Sequence, residues 1–456
     1  MDKSHPAGIG RHREKSGEPL LARRLGPFDA TMIVMGGIIG AGIFVNPSVV
    51  AQRVNTPALM IIAWLIGGFI ALLGALVYAE LATLRPEVGG QYAYLRDAYH
   101  PIVAFLYGWS LLLVVQTGGM AGAAIIFGRY FQELSGIAVS EQLVAVLTLF
   151  ALTIVNCMGV RAGSNLQSGL MLTKLVAIAL LIVAGLALTG AATSSTHGAK
   201  GTASLTGLAA AMVPVIFAYG GWQTATFVSG EMRDSRRDLP KALFIGVAGV
   251  IVIYSLVAYT CLRALGMNAL ASTPTPASEV MRHAWGATGA KIIAYGIAIS
   301  TVGFLSQSIL TAPRVYYAMA RDGVFFKSVG YVSRNTKVPV IAIVLQGVWA
   351  AVVAWTGTYE QILNYVVTID VLFFGLTGAS LIIFRARARP DQQTRERLAR
   401  VPLHSISTGI FVLACWTVAL ATLIAQPINA GIGVVMLAIG AFIYPLWRFR
   451  SLRPER

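Results

Sequence analysis

The chain has 456 residues, of which 56% are apolar and only 12% charged, where a soluble domain carries about 25% charged residues. A water-soluble fold of this size could not hide that much apolar surface, so lipid must solvate most of it. The net charge of +16 does not indicate nucleic-acid binding, because the basic residues sit in short loops between apolar runs, the pattern of loops that face the cytoplasm.

In chain order, twelve apolar runs are long enough to cross about 30 Å of hydrocarbon. They cover 28–52, 58–84, 101–132, 142–160, 166–189, 205–230, 242–266, 290–320, 339–355, 362–384, 406–425 and 428–447. The third and eighth are over-long and are expected to tilt or to continue outside the bilayer. The stretch before Phe28 is polar and basic, with no apolar core of the kind a cleavable signal needs. With both termini in the cytoplasm, the inner segments hold 28 Lys and Arg residues and the outer ones 6, with Lys174 inside a helix. That imbalance predicts cytoplasmic termini.

Glycines interrupt two of the runs. The first contains Gly36-Gly37-Ile38-Ile39-Gly40-Ala41-Gly42-Ile43-Phe44, and the sixth contains Phe217-Ala218-Tyr219-Gly220-Gly221-Trp222-Gln223. Each break falls about thirteen residues into its run. Matching interruptions in two halves point to a transporter built from inverted repeats. An unwound stretch at mid-membrane frees backbone N–H and C=O groups that lipid cannot satisfy. N–H groups and the positive end of a half-helix suit a carboxylate, freed carbonyls suit an ammonium, and glycine allows unusual dihedrals and close approach. An amino acid carries both groups. Gly36 and Gly40 also form a Gly-x-x-x-Gly spacing, which serves helix packing. The second break at the matching position favours binding.

These motifs resemble the amino acid–polyamine–organocation superfamily of transporters, and within it the L-type amino acid transporter group. Tyr78-Ala79-Glu80-Leu81 followed by Pro86, Gly89-Gly90, Tyr92 and Tyr94 carries the same resemblance, as do Glu231-Met232 with Pro240, and Ala318-Met319-Ala320-Arg321-Asp322-Gly323. The resemblance implies an all-α integral membrane protein of twelve transmembrane helices with the LeuT-type 5+5 inverted repeat and broken helices 1 and 6. The expected division is a basic tail at 1–27, a first repeat at 28–190, a second at 205–384, two further helices at 404–447 and a tail at 448–456. It implies a multi-pass protein of the cell (inner or plasma) membrane that works by alternating access. Ile39, Gly40, Ala41 and Gly42 would bind the substrate carboxylate, with Phe217, Ala218, Tyr219 and Gly220 on the ammonium and side-chain side and Phe217 as a lid. Many relatives carry Ser or Thr where this chain has Ala41, which leaves carboxylate binding to the backbone. Relatives of the L-type group pair with a glycoprotein through a cysteine between helices 3 and 4. The segment 133–141 has none, which excludes a disulfide-linked heavy chain there and favours a stand-alone prokaryotic carrier.

Charges inside apolar runs are costly and are functional candidates by default. Lys174 lies about 12 Å into its helix. The resemblance places its ammonium where sodium-coupled relatives bind an ion, which implies sodium independence; it could also load and release a proton. Asp370 lies about 15 Å into helix 10. It either sits protonated and hydrogen-bonded to a Tyr, Ser or Thr, or lines the distal pocket as a proton or side-chain site. Glu80 reads as a structural ion pair or cap, and Arg129 as a residue that snorkels to the interface.

Cys157, Cys261 and Cys415 form neither a disulfide framework nor a metal spacing, and the six His residues lie in tails or loops. No cofactor, metal or catalytic constellation is implied, so an enzyme is not expected. The expected function is sodium-independent transport of amino acids, neutral ones first, by exchange or facilitated transport. A proton-coupled symporter and a non-transporting amino acid sensor are the alternatives. Nothing in the sequence sets the oligomeric state.

Overall fold

The computed structural model describes residues 26–54, 56–85, 89–158, 163–188, 205–229, 232–333, 335–336, 338–387 and 404–451. Most of both expected tails and the basic loop at 388–403 lie outside the described residues, as do Gly230 and Glu231. The twelve apolar runs all fall on helices. The first run divides into α1 (Pro27–Ile38) and α2 (Asn46–Arg53), joined by an extended stretch and a single tight turn at Gly42–Phe44. α3 (Pro57–Leu84) follows, then a short helix α4 (Gln91–Ala98). α5 (Pro101–Ser110) passes through a π segment, Leu111–Val115, into α6 (Gln116–Ser135). Next come α7 (Glu141–Cys157), α8 (Gly163–Ala187), and the second broken run, α9 (Leu205–Tyr219) with α10 (Thr224–Phe227). α11 (Ser235–Ser272), α12 (Pro276–Thr311), α13 (Pro313–Arg321), α14 (Val340–Thr356), α15 (Tyr359–Arg387), α16 (His404–Ala425) and α17 (Pro427–Ser451) complete the chain.

Eight described helical segments are long and apolar enough to cross a membrane, and four shorter apolar helices accompany them: Pro27–Ile38, Glu141–Cys157, Met171–Ala187 and Val340–Thr356. Proline opens α1, α3, α5, α12 and α13, where its missing N–H would have had no partner in any case. Thr56, Ser140 and Asp234 cap α3, α7 and α11 by accepting the N–H groups of Leu59, Leu143 and Arg237.

The two over-long runs have specific explanations. The third is one continuous rod through the π segment. The eighth breaks at Ala312, because Pro313 cannot donate to the ladder and starts a new helix. Gly266 and Gly286, at φ 72 and 64, kink the helices on either side of the α11–α12 turn.

Helix packing sorts the elements into two groups. α1, α2 and α3 pack around α11, with α9 against α2 and α3, while α6, α7, α12 and α14 pack on one another; α8 bridges α11 and α12, and α16 and α17 lean on α15. In the apolar stretch of Pro101–Ser135, 83% is buried, against 22% for Pro427–Pro445. The α5–α6 rod is therefore central and the last helix peripheral. Phe442 and Ile428 are each 83% exposed, as lipid-facing side chains should be.

Candidate functional site

At the first break α1 stops at Ile38, and Ile39 leaves the helix at φ −74, ψ 83. A freed backbone group in an apolar interior must find a partner. The Ile38 carbonyl accepts from the Tyr254 hydroxyl at 2.9 Å and the Ile39 carbonyl from Lys174 Nζ at 2.9 Å. Below the break, Tyr130 donates to Phe44 O at 3.1 Å. The N–H groups at Ala41 and Gly42 open the next turn, where no helical carbonyl is available to them.

At the second break α9 stops at Tyr219. Its last four carbonyls lack helical partners by construction, and of these Phe217 O accepts from Gly220 N at 3.2 Å. Gly221 lies at φ 106, a conformation only glycine adopts without strain. Its N–H donates to Gln223 Oε1 at 2.9 Å, and its carbonyl accepts the Thr224 hydroxyl at 2.7 Å.

The two breaks touch. A Cβ on Gly37 would stand 2.7 Å from Gly221 O, and one on Gly221 would overlap the Gly37 carbonyl. Glycine at these two positions thus lets backbone meet backbone, in addition to the role the sequence suggested for the loop as a ligand cradle.

Beside this contact lies a cavity of about 860 Å³, open solvent included. Gly40, Ala41, Gly42, Phe217, Ala218, Gly220 and Asp370 all line it, which brings together seven of the residues expected from the sequence. Phe217 meets Tyr359 edge-on, 6.2 Å between centroids. Tyr359 donates to Asn46 Oδ1 at 2.8 Å, and Asn46 Nδ2 donates to Pro214 O at 2.8 Å. These contacts tie α2, α9 and α15 together at one end of the cavity.

Two expected residues do not line it. The Ile39 side chain is fully buried, and its carbonyl is held by Lys174. Tyr219 points the other way, against Trp64 and Tyr254. It borders a smaller apolar cavity of about 310 Å³ with Trp222, Phe374 and Cys415. Residues two apart on a helix diverge by about 200°, so Phe217 and Tyr219 cannot share one cavity.

Conversely, the cavity has a polar side that sequence reasoning missed: Gln116, Gln223, Thr224, Gln307, Ser308 and Thr311. The signal was present, since Gln307, Ser308 and Thr311 share one face of an otherwise apolar helix. Phe304 covers Gly40, whose Cβ would lie 3.1 Å from the ring.

Lys174 is 2% exposed, and its described contact is to a carbonyl rather than a carboxylate. Asp370 forms no ion pair among the described residues, so the two intramembrane charges are not partners. Glu80 pairs with Arg385 at 2.6 and 2.8 Å, the structural ion pair expected of it. Arg129 does not simply snorkel; it pairs with Glu141 at 3.2 Å. At the opposite end from Tyr359, Asp322 accepts from Tyr92 at 2.8 Å and from Arg96 at 3.1 Å. Burial works against the Arg96 charge, but Asp97 and Asp322 outweigh it and hold the guanidinium protonated above its ordinary value. No group of three or more potential metal ligands occurs among the described residues.

The amino acid permease family matches residues 25–445. The b(0,+)-type amino acid transporter 1 of Mus musculus is 29% identical over 441 residues, covering 93% of this chain and 87% of that protein. The same transporter of Homo sapiens is 30% identical over 447 residues, covering 92% and 88%. The large neutral amino acids transporter small subunit 2 of Homo sapiens is 29% identical over 470 residues, covering 100% and 85%. With the family match running through both breaks and nearly the whole length, the chain belongs to the amino acid permease family of the amino acid–polyamine–organocation superfamily, a family of multi-pass membrane transporters and not of enzymes.

Proposed function

We propose that this protein is a sodium-independent secondary transporter that carries amino acids, neutral ones among them, by alternating access around the central cavity. The observation that carries the reading is the backbone contact of the two breaks at Gly37 and Gly221 beside that cavity. N–H groups at Ala41 and Gly42 suit the substrate carboxylate, and the last carbonyls of α9 suit its ammonium. The carbonyls of Ile38 and Ile39 are already occupied and take no part.

Sodium independence follows from Lys174. Its ammonium sits on the Ile39 carbonyl, a group that would otherwise be a natural ligand for a hard cation. The arrangement in the membrane that fits this reading is twelve spans, in two inverted repeats of five with two further helices, and both termini in the cytoplasm of the cell membrane. Relatives named as small subunits work beside another chain. Segment 133–141 of this protein has no cysteine, so it works here without a disulfide-linked partner at that position.

The test is counterflow in proteoliposomes. Vesicles preloaded with unlabelled leucine or alanine should take up the labelled amino acid, equally well in sodium and in choline buffers. Absence of counterflow for every amino acid tried would sink the transport reading; strict sodium dependence would sink the role given to Lys174.

A further inference from the structure

We propose that Gln307 is a positioning residue for the substrate: with Phe304 it seats α12 in two notches of the first broken run, Gly36 and Gly40, and so sets where the N–H groups of Ala41 and Gly42 stand in the cavity. This deepens the transport reading above and rests on it.

A Gly-x-x-x-Gly spacing ordinarily lets the backbone of a second helix come close. Here the nearest atoms belong to side chains. A Cβ on Gly36 would lie 2.7 Å from Gln307 Oε1 and 3.8 Å from the Met171 sulfur, and one on Gly40 would lie 3.1 Å from the Phe304 ring. Phe304 and Gln307 stand three apart on α12 and so share one of its faces. The two glycines that the sequence leaves between packing and binding thus receive two side chains of one helix.

Gln307 does more than fill its notch. Its Nε2 donates to Ile33 O at 2.9 Å. Ile33 lies inside α1, where the helical ladder already serves its carbonyl. The bond therefore rescues no stranded group of α1; it ties α1 to α12. Those helices belong to the two packing groups described above, which alternating access must shift against each other. Phe304 and Gln307 also line the cavity, so the same face of α12 meets the substrate and holds α1.

The position of α1 reaches the binding turn without slack. Gly40 N donates to Ile38 O at 2.8 Å around Ile39, which has the dihedrals of an inverse γ-turn. Ala41 and Gly42 follow at once. A shift of α1 on α12 is carried through that closed turn to their N–H groups instead of being absorbed by a loop.

The test uses the full-length protein in proteoliposomes, with labelled alanine and leucine as probes and with spin labels at Phe28 and Phe326, both exposed. Gln307→Met keeps the length of the side chain and removes the donor. It should weaken binding of both probes about fivefold, the strength of one hydrogen bond, lengthen and broaden the distance between the labels, and melt near the wild type. Gly36→Ala should do the same from the other side of the contact, because the new methyl evicts the amide. In a Gln307→Ala background, Gly36→Ala meets the Met171 sulfur at an ordinary 3.8 Å and should add nothing. The double variant should then match Gln307→Ala in affinity and in distance.

Independent, multiplying losses in the double variant would overturn the notch, since Gly36 would then serve helix packing whatever stands at position 307. Earlier melting of Gln307→Met with wild-type affinity and distances would make its role merely structural and overturn the proposal. Wild-type counterflow separates these results from transport itself. If it is absent for every amino acid tried, the transport reading falls, while the distances, which need no substrate, still decide whether Gln307 holds α1.

Discussion

At the scale of single residues, Lys174 and Gly221 make opposite demands. Lys174→Ala leaves the Ile39 carbonyl without its donor, a loss of about 1–3 kcal/mol, but also removes a buried charge whose desolvation offsets much of it. The variant should therefore unfold near the wild-type temperature and yet lose most counterflow, because the unwound segment is no longer held. Near-normal turnover would reduce Lys174 to a packing residue. Gly221→Ala should behave the other way. Its φ of 106 and the clash with Gly37 predict a destabilisation of about 3 kcal/mol, read as a lower melting temperature in detergent. Gly42 differs from both. The sequence suggests that its backbone needs glycine, but it lies outside the positive-φ set, and its Cβ would meet Asn46 Nδ2 at an ordinary 3.4 Å. Gly42→Ala should fold well, while the extra methyls of Gly42→Val should crowd Asn46 and Ala218 and abolish binding of the labelled probe.

At the scale of elements, a glycine pair alone did not mark a break, since Gly67-Gly68 and Gly118-Gly119 lie inside continuous helices; the broken helices were legible because two interruptions fall at matching positions in two halves of the chain. Assigning neighbouring residues to the cavity by proximity in sequence was less sound. It included Tyr219, which helical periodicity directs elsewhere, and the backbone N–H of Ile39, which donates to Met35 O at 2.7 Å as the last turn of α1 closes. The polar side of the cavity was hidden for a different reason. Gln307 shares a readable polar face with Ser308 and Thr311, but Gln116 lies on another helix, and only the packing of α6 against α12 brings them to one wall. The third and eighth runs could be seen to be too long, but not that a π segment and Pro313 account for them. Tyr359 joins three elements through one hydroxyl. Tyr359→Phe strands Asn46 Oδ1 in a buried site, at a cost of about 1–3 kcal/mol. That variant should melt earlier, and it should label faster with an impermeant thiol reagent at a cysteine placed in the cavity, since the end closed by Phe217 and Tyr359 is loosened. An unchanged labelling rate would mean that this cluster does not gate.

At the scale of the whole molecule, charged contacts join elements at both ends, Arg129 to Glu141 and Arg282 to Glu133 on the side of Tyr359 and a second group at the opposite end. Arg96 and Tyr92 on α4 grip Asp322 at the end of α13, and Arg385 grips Glu80 between α15 and α3. Part-exposed pairs such as Arg96–Asp322 are individually worth about 0–1 kcal/mol. Asp322→Asn should accordingly leave the melting temperature almost unchanged and yet shift the balance between the two facing states. In double electron–electron resonance, spin labels on α4 and α13 should show a broader distance distribution in the variant; an identical distribution would remove Asp322 from the closing machinery.

The meeting of Gly37 with Gly221 constrains how such a shift can happen. Most helix contacts are cushioned by side chains, which can change rotamer and let one helix slide over the other. Here carbonyl faces backbone with no side chain between, so there is nothing to slip. The two interrupted helices are pinned at their midpoints like the blades of a pair of scissors. The segments on either side of the pin are free to swing, but the pin itself must travel with both. Distances between labels flanking Gly37 and Gly221 should hold constant through the cycle, while distances from either to α6 and α12 change.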